Sequence, residues 1–181
     1  ASLPNPFSSI AFSGTSYSLN AGEITLTTAP VKGIWFGNGN SIGHPTNWSV
    51  ADNETGNYLK VRTKLSAGAT DWSAYLADGT SYANFNFNHS EFSYGISSGG
   101  SYSEVTNALD MTSEFHIFEF LLKDGYVSYR LDESQVLYSG QAYATAQPSI
   151  MVIGDGSGST PTGTGSMIID QVTYAPDPVI S

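Results

Sequence analysis

The chain has 181 residues, a length that predicts one domain over residues 1–181 with a sizeable hydrophobic core. Its net charge of −10, from 16 acidic and 6 basic residues, argues against a nucleic-acid partner, because proteins that bind nucleic acids are normally basic. There is no cysteine, which excludes disulfides and thiolate metal sites, and no apolar run approaches the roughly 18 residues of a membrane span. We expect a monomer, since acidic surfaces keep proteins apart.

Short runs in which apolar and polar residues alternate recur along the chain, separated by Gly, Asn, Asp and Pro. This pattern predicts an all-β sandwich or barrel. In chain order, the predicted strands span 9–14, 16–29 (two strands), 34–38, 57–65, 72–78, 81–88, 91–97, 102–109, 115–123, 126–133, 135–142, 149–155 and 166–175. Asp124-Gly125 is predicted to be a tight hairpin, because this pair tolerates positive φ. In a two-sheet jelly roll, an N-terminal strand and the C-terminal strand are expected to lie side by side.

A period of two assigns the faces of three of these strands. Strand 57–65 should bury Leu59, Val61, Thr63 and Leu65, strand 81–88 should bury Phe85 and Phe87, and strand 126–133 should bury Val127, Tyr129 and Leu131. The outward residues are then Lys60, Arg62 and Lys64 on the first strand, Asn84, Asn86 and Asn88 on the second, and Tyr126 and Arg130 on the third. Half of all the basic residues thus share one face of one strand.

These outward residues suggest a ligand-binding groove, provided that the three strands are neighbours on one sheet. Amides bond sugar hydroxyls, and Lys and Arg pair with carboxylate or sulfate, so the predicted partner is a glycan, preferably an anionic polysaccharide. Trp48, in the loop sequence GHPTNWSVADN, is the candidate for an exposed ring that stacks on sugar. The alternative interpretation is that the basic stripe lies on a solvated face and only keeps the sheet soluble.

One loop has a weak resemblance to a calcium site. Asp155, Ser157 and Ser159 alternate oxygen ligands as a calcium loop does, but Ser166 stands where an EF-hand loop has its bidentate acid. A plain surface loop over residues 155–165 is the favoured interpretation. Asp155 is therefore the one metal-ligand candidate, calcium is the one metal considered, and no other cofactor is predicted.

Two segments resemble a known family. In DMTSEFHIFEFLLKDGYVSYRLDESQVLYSG, the residues Phe115, His116, Phe118 and Phe120, the Asp124-Gly125 turn and the stretch 129–132 resemble a strand pair of concanavalin A-like (laminin G-like) jelly rolls. The segment IGDGSGSTPTGTGSMIIDQVTY is similar to the last loop and strand of the same families. The resemblance implies an all-β, two-sheet antiparallel jelly-roll sandwich. It also implies a carbohydrate ligand, because many of these domains bind carbohydrate and some are polysaccharide lyases or glycosidases.

The glycosidases of this fold carry a Glu-x-Asp-x-Glu pattern on one strand face, and no such spacing occurs among the 16 acids. Asp52 and Glu54 share a face, but their surroundings predict a loop. His116 and Glu119 fall on opposite faces of strand 115–123, so they cannot form a catalytic pair within it, and His116 is expected to have a structural role.

Three functions therefore remain open. The favoured one is a non-catalytic carbohydrate-binding domain, which is expected to be secreted or periplasmic because the opening residues ASLPNPF resemble a processed end. The second is a polysaccharide lyase that would use Tyr126, Arg130, Arg62, His89 and the outward asparagines; among enzymes it ranks before a glycosidase. The third is a surface or adhesive sandwich that binds a protein through an exposed apolar patch.

Overall fold

A computed structural model describes residues 8–11, 16–27, 34–38, 50–146, 149–155 and 164–177. No helix occurs among these residues, and none therefore forms a helix that could cross a membrane. The strands are β1 (Ser8–Ala11), β2 (Ser16–Asn20), β3 (Glu23–Thr27), β4 (Ile34–Asn38), β5 (Asn57–Leu65), β6 (Trp72–Ala77), β7 (Ser81–Asn88), β8 (Glu91–Ser98), β9 (Ser101–Ala108), β10 (His116–Lys123), β11 (Tyr126–Leu131), β12 (Gln135–Gln141), β13 (Tyr143–Ala144), β14 (Ile150–Gly154) and β15 (Ser166–Pro176).

The strands form two antiparallel sheets. The eight-stranded sheet has the order β1-β4-β14-β6-β7-β8-β9, and the short β13 pairs with β7. The seven-stranded sheet has the order β12-β11-β10-β5-β15-β3-β2. The predicted all-β fold with two antiparallel sheets is confirmed.

The C-terminal strand β15 lies between β5 and β3, where Met167 is opposite both Leu65 and Leu26. The expected pairing of the chain's last strand with an early strand is therefore confirmed for β3. The first strand, β1, instead pairs with β4 in the eight-stranded sheet. The early part of the chain thus contributes to both sheets, as it does when strands alternate between the layers of a sandwich.

Alternation sorts the side chains as the sequence predicts. In β5, every second residue from Asn57 to Leu65 is buried, and Lys60, Arg62 and Lys64 point away from the core. Trp72 is fully buried in β6 and donates from its indole nitrogen to the carbonyl oxygen of Thr164, 2.9 Å away. The indole thereby fills the core without leaving a buried donor unpaired.

The core is an aromatic cluster centred on Phe85 of β7. Its ring centroid lies 5.1 Å from those of Phe118 and Tyr129, which belong to the seven-stranded sheet. Both contacts are edge-on, the geometry that aromatic quadrupoles favour. The rings of Phe87 and Phe92 also lie within 6.2 Å of Phe85, so this one side chain joins both sheets.

Two local features that the sequence singled out have structural roles. Asp124 and Gly125 have φ of 51° and 74°, and the hairpin that they form joins β10 to β11. His116 is buried, its Nδ1 lies 3.0 Å from a carboxylate oxygen of Asp132, and its Nε2 lies 3.3 Å from the carbonyl oxygen of Asp110. It joins two loops at one end of the sandwich, which agrees with the structural role predicted for it.

We expect Phe85→Ala to lower the free energy of unfolding by about 3 to 5 kcal/mol, because the cavity would lie between two sheets that relax only partly. Phe85→Leu should cost less, since it keeps most of the volume. Chemical denaturation monitored by circular dichroism measures both losses. Tyr126→Ala, at a side chain that is 64% exposed, is the matched control, and a comparable loss there would contradict the central position of Phe85.

Candidate functional site

The two sheets separate the predicted ligand-binding residues into two groups. The strands β5 and β11 belong to the seven-stranded sheet, whereas β7 belongs to the eight-stranded sheet. The outer face of the seven-stranded sheet carries Lys60, Arg62, Lys64, Tyr126 and Arg130, and the outer face of the other sheet carries Asn84, Asn86 and Asn88. The single groove that required all three strands to be neighbours does not form. Trp48 lies outside the described residues.

The basic stripe on β5 is balanced by carboxylates of the same face. Lys60 pairs with Glu133 and Arg62 pairs with Asp170. Arg62 and Lys64 also lie over the ring of Phe115, with Cζ and Nζ at 4.7 and 4.6 Å from its centroid. These cations already have partners within the protein, which favours the interpretation that the stripe is a solvated face.

A groove lies instead on the outer face of the eight-stranded sheet. It consists of two cavities of about 520 and 480 Å³ that share Tyr75, Tyr82, Asn86 and Glu104. Strand register explains the meeting of these residues: Tyr75 is opposite Asn84 in the β6–β7 pair, and Asn86 is opposite Ser93 in the β7–β8 pair. The outward asparagines of β7 therefore run along this surface, which we call the groove.

Four tyrosines form a continuous chain along one part of the groove. The ring centroids of Tyr75 and Tyr82 are 5.8 Å apart, those of Tyr82 and Tyr102 are 6.2 Å apart, and those of Tyr102 and Tyr143 are 5.4 Å apart. They come from β6, β7, β9 and β13, so four different strands hold them in place. Tyr75 and Tyr82 also pack against a small apolar cluster of Ala77, Ile150 and Val152.

Glu104 is the centre of the polar network beside these rings. Its carboxylate accepts hydrogen bonds from the Tyr102 hydroxyl at 2.7 Å, the Asn86 amide at 2.8 Å and the Ser93 hydroxyl at 3.4 Å. Asn84 is 1% exposed, and its amide nitrogen donates to the Tyr102 hydroxyl at 3.2 Å. Asn84 therefore lies beneath Tyr102, whereas Asn86 is only partly buried and can contact a ligand.

The other end of the groove is polar and acidic. Asn88 accepts a bond from the backbone of Asp71 at 3.0 Å and donates to Glu91 at 3.0 Å. Asp155 is 1% exposed and lines this end, but Ser157 and Ser159 lie outside the described residues. Within the described ranges, no group of three or more His, Cys, Asp or Glu residues is arranged to hold a metal ion. A calcium ion at Asp155 stays a prediction.

The charge of the groove is uniformly negative among the described residues that line it. The carboxylates of Asp71, Glu91, Glu104 and Asp155 line its two cavities, and no Lys or Arg of the described ranges does. The five basic residues in the described part of the chain belong to strands of the seven-stranded sheet; they are Lys60, Arg62, Lys64, Lys123 and Arg130. Among the described residues, an anionic sugar in the groove would meet carboxylates without an opposing cation.

The surroundings raise the pKa of the groove tyrosines. Burial raises the pKa of Tyr75 and is also the largest cause for Tyr82 and Tyr102. For Tyr102, the hydrogen bond to Glu104 adds to the increase, because a phenolate would stand next to a carboxylate. These hydroxyls therefore stay protonated and remain donors throughout the neutral pH range.

The sequence analysis named the three asparagines and Asp155, which line this groove, but it missed the tyrosines and Glu104. A signal existed for Tyr82, which shares the outward face of β7 with the three asparagines. Tyr102 and Glu104 are two residues apart and share a face of β9, but the sequence does not indicate that β9 adjoins β8 on the groove side. His89, a residue named for the lyase hypothesis, lines a separate cavity of about 460 Å³ at the end of the sandwich.

Comparison with solved structures identifies the fold class. A glycosidic hydrolase shares 14% sequence identity, with a TM-score of 0.60 over 96% of this chain and 91% of its own. The carbohydrate-binding module CBM66 from Bacillus subtilis shares 8% identity, with a TM-score of 0.57 over 96% and 99%. A family 7 alginate lyase in complex with substrate shares 12%, with a TM-score of 0.54 over 94% and 85%.

The chain therefore has the concanavalin A-like jelly-roll fold that the sequence resemblance implied. Comparisons of the sequence itself find no matching family model and no matching curated protein. The structural neighbours show the fold alone at these identities, so the function has to be argued from the groove.

We expect Glu104→Gln to lower the pKa of Tyr102 toward the ordinary tyrosine value, because the amide removes the negative charge that opposes the phenolate. Part of the increase should persist, since burial is its larger cause. Nuclear magnetic resonance of ¹³C-labelled tyrosine rings, recorded up to the alkaline unfolding transition, would show ionisation of Tyr102 beginning at lower pH. Glu91→Gln is the control, because it neutralises a groove carboxylate that bonds to Asn88 and not to Tyr102. An unchanged Tyr102 titration in Glu104→Gln would contradict the assignment.

Proposed function

We propose that this protein is a secreted, non-catalytic carbohydrate-binding domain that holds a neutral polysaccharide in the groove of the eight-stranded sheet. The observation that carries the proposal is the combination of four adjoining tyrosines with a row of amide, hydroxyl and carboxylate groups on one sheet face. The apolar face of a sugar ring packs against aromatic rings. Sugar hydroxyls both donate and accept, so amides and carboxylates orient the ring.

The charge of the groove favours a neutral chain over the anionic polysaccharide predicted from the basic stripe. A uronate or sulfate beside Glu104 would face like charge, since no described basic residue lines the groove. The five described cations lie on strands of the other sheet. Their carboxylate partners, such as Glu133 for Lys60, would have to be displaced before an anionic chain could bind there.

One feature of the groove favours binding without hydrolysis. Most glycosidases use a carboxylic acid together with a second carboxylate. Asn84, Asn86 and Asn88 stand on β7 with the spacing of the Glu-x-Asp-x-Glu pattern that glycosidases of this fold carry, but amides do not act as acids or nucleophiles.

A lyase acting on an acidic polysaccharide is the second candidate, because Tyr102 lies beside the amides of Asn84 and Asn86 in the groove. A tyrosine and an amide are among the residue types that such a reaction uses. However, Tyr126, Arg62 and Arg130 lie on the opposite sheet, so the residues named for this function are not assembled in one place. A binding function uses more of the residues that line the groove than a lyase function does.

A protein ligand is the least supported of the three functions. The large apolar side chains exposed among the described residues are Tyr102, Tyr126 and Val136. Tyr102 belongs to the groove. Val136 is opposite Arg130, about 13 Å along β11 from Tyr126, so the two do not form one apolar patch.

The test is binding to soluble polysaccharides of different charge, measured by affinity gel electrophoresis and isothermal titration calorimetry. Barley mixed-linkage β-glucan, laminarin and xylan are the neutral probes, alginate is the anionic one and chitosan is the cationic one. We expect binding to a neutral polymer that is insensitive to salt, and Tyr102→Ala should weaken it roughly tenfold through loss of a stacking ring.

Four results would contradict the proposal. One is the absence of binding to every neutral polymer. Another is alginate binding that Arg130→Gln abolishes, which would place the site on the seven-stranded sheet. The third is release of unsaturated products or reducing ends from a polymer during incubation, which ultraviolet absorbance and a reducing-sugar assay detect. A larger loss of binding in Tyr126→Ala than in Tyr102→Ala would also move the site to the other face.

A further inference from the structure

Gly95 lies in the middle of β8, where glycine has no conformational advantage. Its φ does not fall in the left-handed region, and glycine within a strand weakens the strand because it supplies no side chain to pack. The residue points to the groove side, and Glu104 is its partner on β9. A steric reason for glycine remains, namely the close approach of another group to the backbone.

Two groups make this approach, the side-chain amide of Asn84 and the ring of Tyr102. A Cβ added to Gly95 would lie 2.5 Å from Cε2 and 3.0 Å from the hydroxyl oxygen of Tyr102, and closer still to the side-chain oxygen of Asn84. The ring therefore lies against the backbone of β8, which it reaches from β9. Any side chain at position 95 would have to displace both the ring and the Asn84 amide beneath it.

The contacts of Tyr102 hold the ring in this position from several sides. Its hydroxyl bonds both Asn84 and Glu104, and the ring of Tyr143 stands at 68° to it with the centroids 5.4 Å apart. The side chain is still 38% exposed, so part of the ring remains open to the groove. Groups that are fixed before binding lose less rotamer freedom when a ligand arrives.

We infer that Gly95 is a positioning residue that allows the Tyr102 ring to lie against the backbone of β8 and so preforms it as the aromatic platform of the groove. The contact between the Tyr102 ring and the backbone at Gly95 exists in the free protein. That a sugar ring stacks on Tyr102 rests on the proposed function. The first part can therefore be tested without ligand, and the second part requires a polymer that the wild-type protein binds.

The chain offers a matched control at Gly140 of β12. A Cβ at that position would lie 2.7 Å from Cζ of Tyr138, so Gly140→Ala should disturb a tyrosine ring much as Gly95→Ala does. Gly140 belongs to the edge of the seven-stranded sheet, and neither it nor Tyr138 lines the groove cavities. The two variants share the type of substitution and a clash with a tyrosine ring, but only Gly95→Ala acts on the groove.

The first experiment uses the ligand-free protein and nuclear magnetic resonance of ¹³C-labelled tyrosine rings. The Tyr102 signal is the one that disappears in Tyr102→Phe. We expect ring currents from its neighbours to shift this signal in the wild-type protein, and Gly95→Ala to move it toward the position of an exposed tyrosine. Gly140→Ala should leave it in place. A Tyr102 signal that stays unchanged in Gly95→Ala would overturn the inference.

The second experiment measures affinity for barley mixed-linkage β-glucan, or for whichever neutral polymer of the panel binds best. Gly95→Ala should lose as much affinity as Tyr102→Ala, roughly tenfold, because the first variant displaces the stacking ring and the second removes it. The double variant should bind no worse than Tyr102→Ala alone, and Gly140→Ala should bind as the wild-type protein does. Losses that multiply in the double variant would show that Gly95 does not act through Tyr102 and would overturn the inference.

Two further outcomes are informative. If the wild-type protein binds none of the polymers, the proposed function fails, and the ligand-free experiment still decides whether Gly95 seats the ring. If Gly95→Ala does not fold, the double variant with Tyr102→Ala removes the clash with the ring. Recovery of folding in that variant supports the inference. If it stays unfolded while Gly95→Ala combined with Asn84→Ala folds, the clash lies with Asn84 rather than with the ring, and the inference is overturned.

Discussion

The two sheets are held in register by a contact that passes through the core directly behind the groove. The phenol of Tyr129, on the seven-stranded sheet, accepts a hydrogen bond from the backbone N–H of Asn84 on β7, with 3.1 Å between the two atoms. Burial raises the pKa of this hydroxyl, so it stays neutral and remains compatible with the apolar core. The ring of Tyr129 packs edge-on against Phe85, the next residue along β7. A single side chain thus fixes both the inner face of β7 and the backbone that carries the groove asparagines.

The two outer faces of the sandwich differ strongly in chemistry. The acidic groove contains carboxylates that are bonded to neutral donors, such as the Tyr102 hydroxyl and the Asn86 amide on Glu104. The opposite face contains acids and bases that pair with one another, such as Arg62 with Asp170. Exposed ion pairs contribute little to stability, but they satisfy the charges locally and leave that face without an unpaired cluster. A neutral, hydroxyl-rich ligand could bond to the polar groups of the first face, whereas on the second face it would compete with ion pairs that are already formed.

Much of this structure could be predicted from residue alternation, and the missing part has one physical cause. A period of two placed Phe85 and Phe87 inside and Lys60 and Arg62 outside. The Asp124-Gly125 pair marked the hairpin. Each of these assignments depends only on residues that are near neighbours in sequence. Alternation does not state which strands pair or which sheet a strand joins, since those contacts join residues far apart in sequence. The expected groove therefore combined β5 with β7, whereas the pairing of β7 with β6 and β8 defines the actual one.

The groove has a floor on β7 and a wall on the edge strand β9, and the two are supported differently. Asn86 stands on β7, which is hydrogen-bonded on both sides and anchored from behind by the aromatic core. Tyr102 and Glu104 stand on β9, which among the described residues has a paired neighbour on one side only. The side chains of the groove themselves tie this wall to the floor, since Tyr102 bonds to Asn84 and Glu104 bonds to Asn86. The polar network that would orient a sugar therefore also fastens the edge strand that carries it.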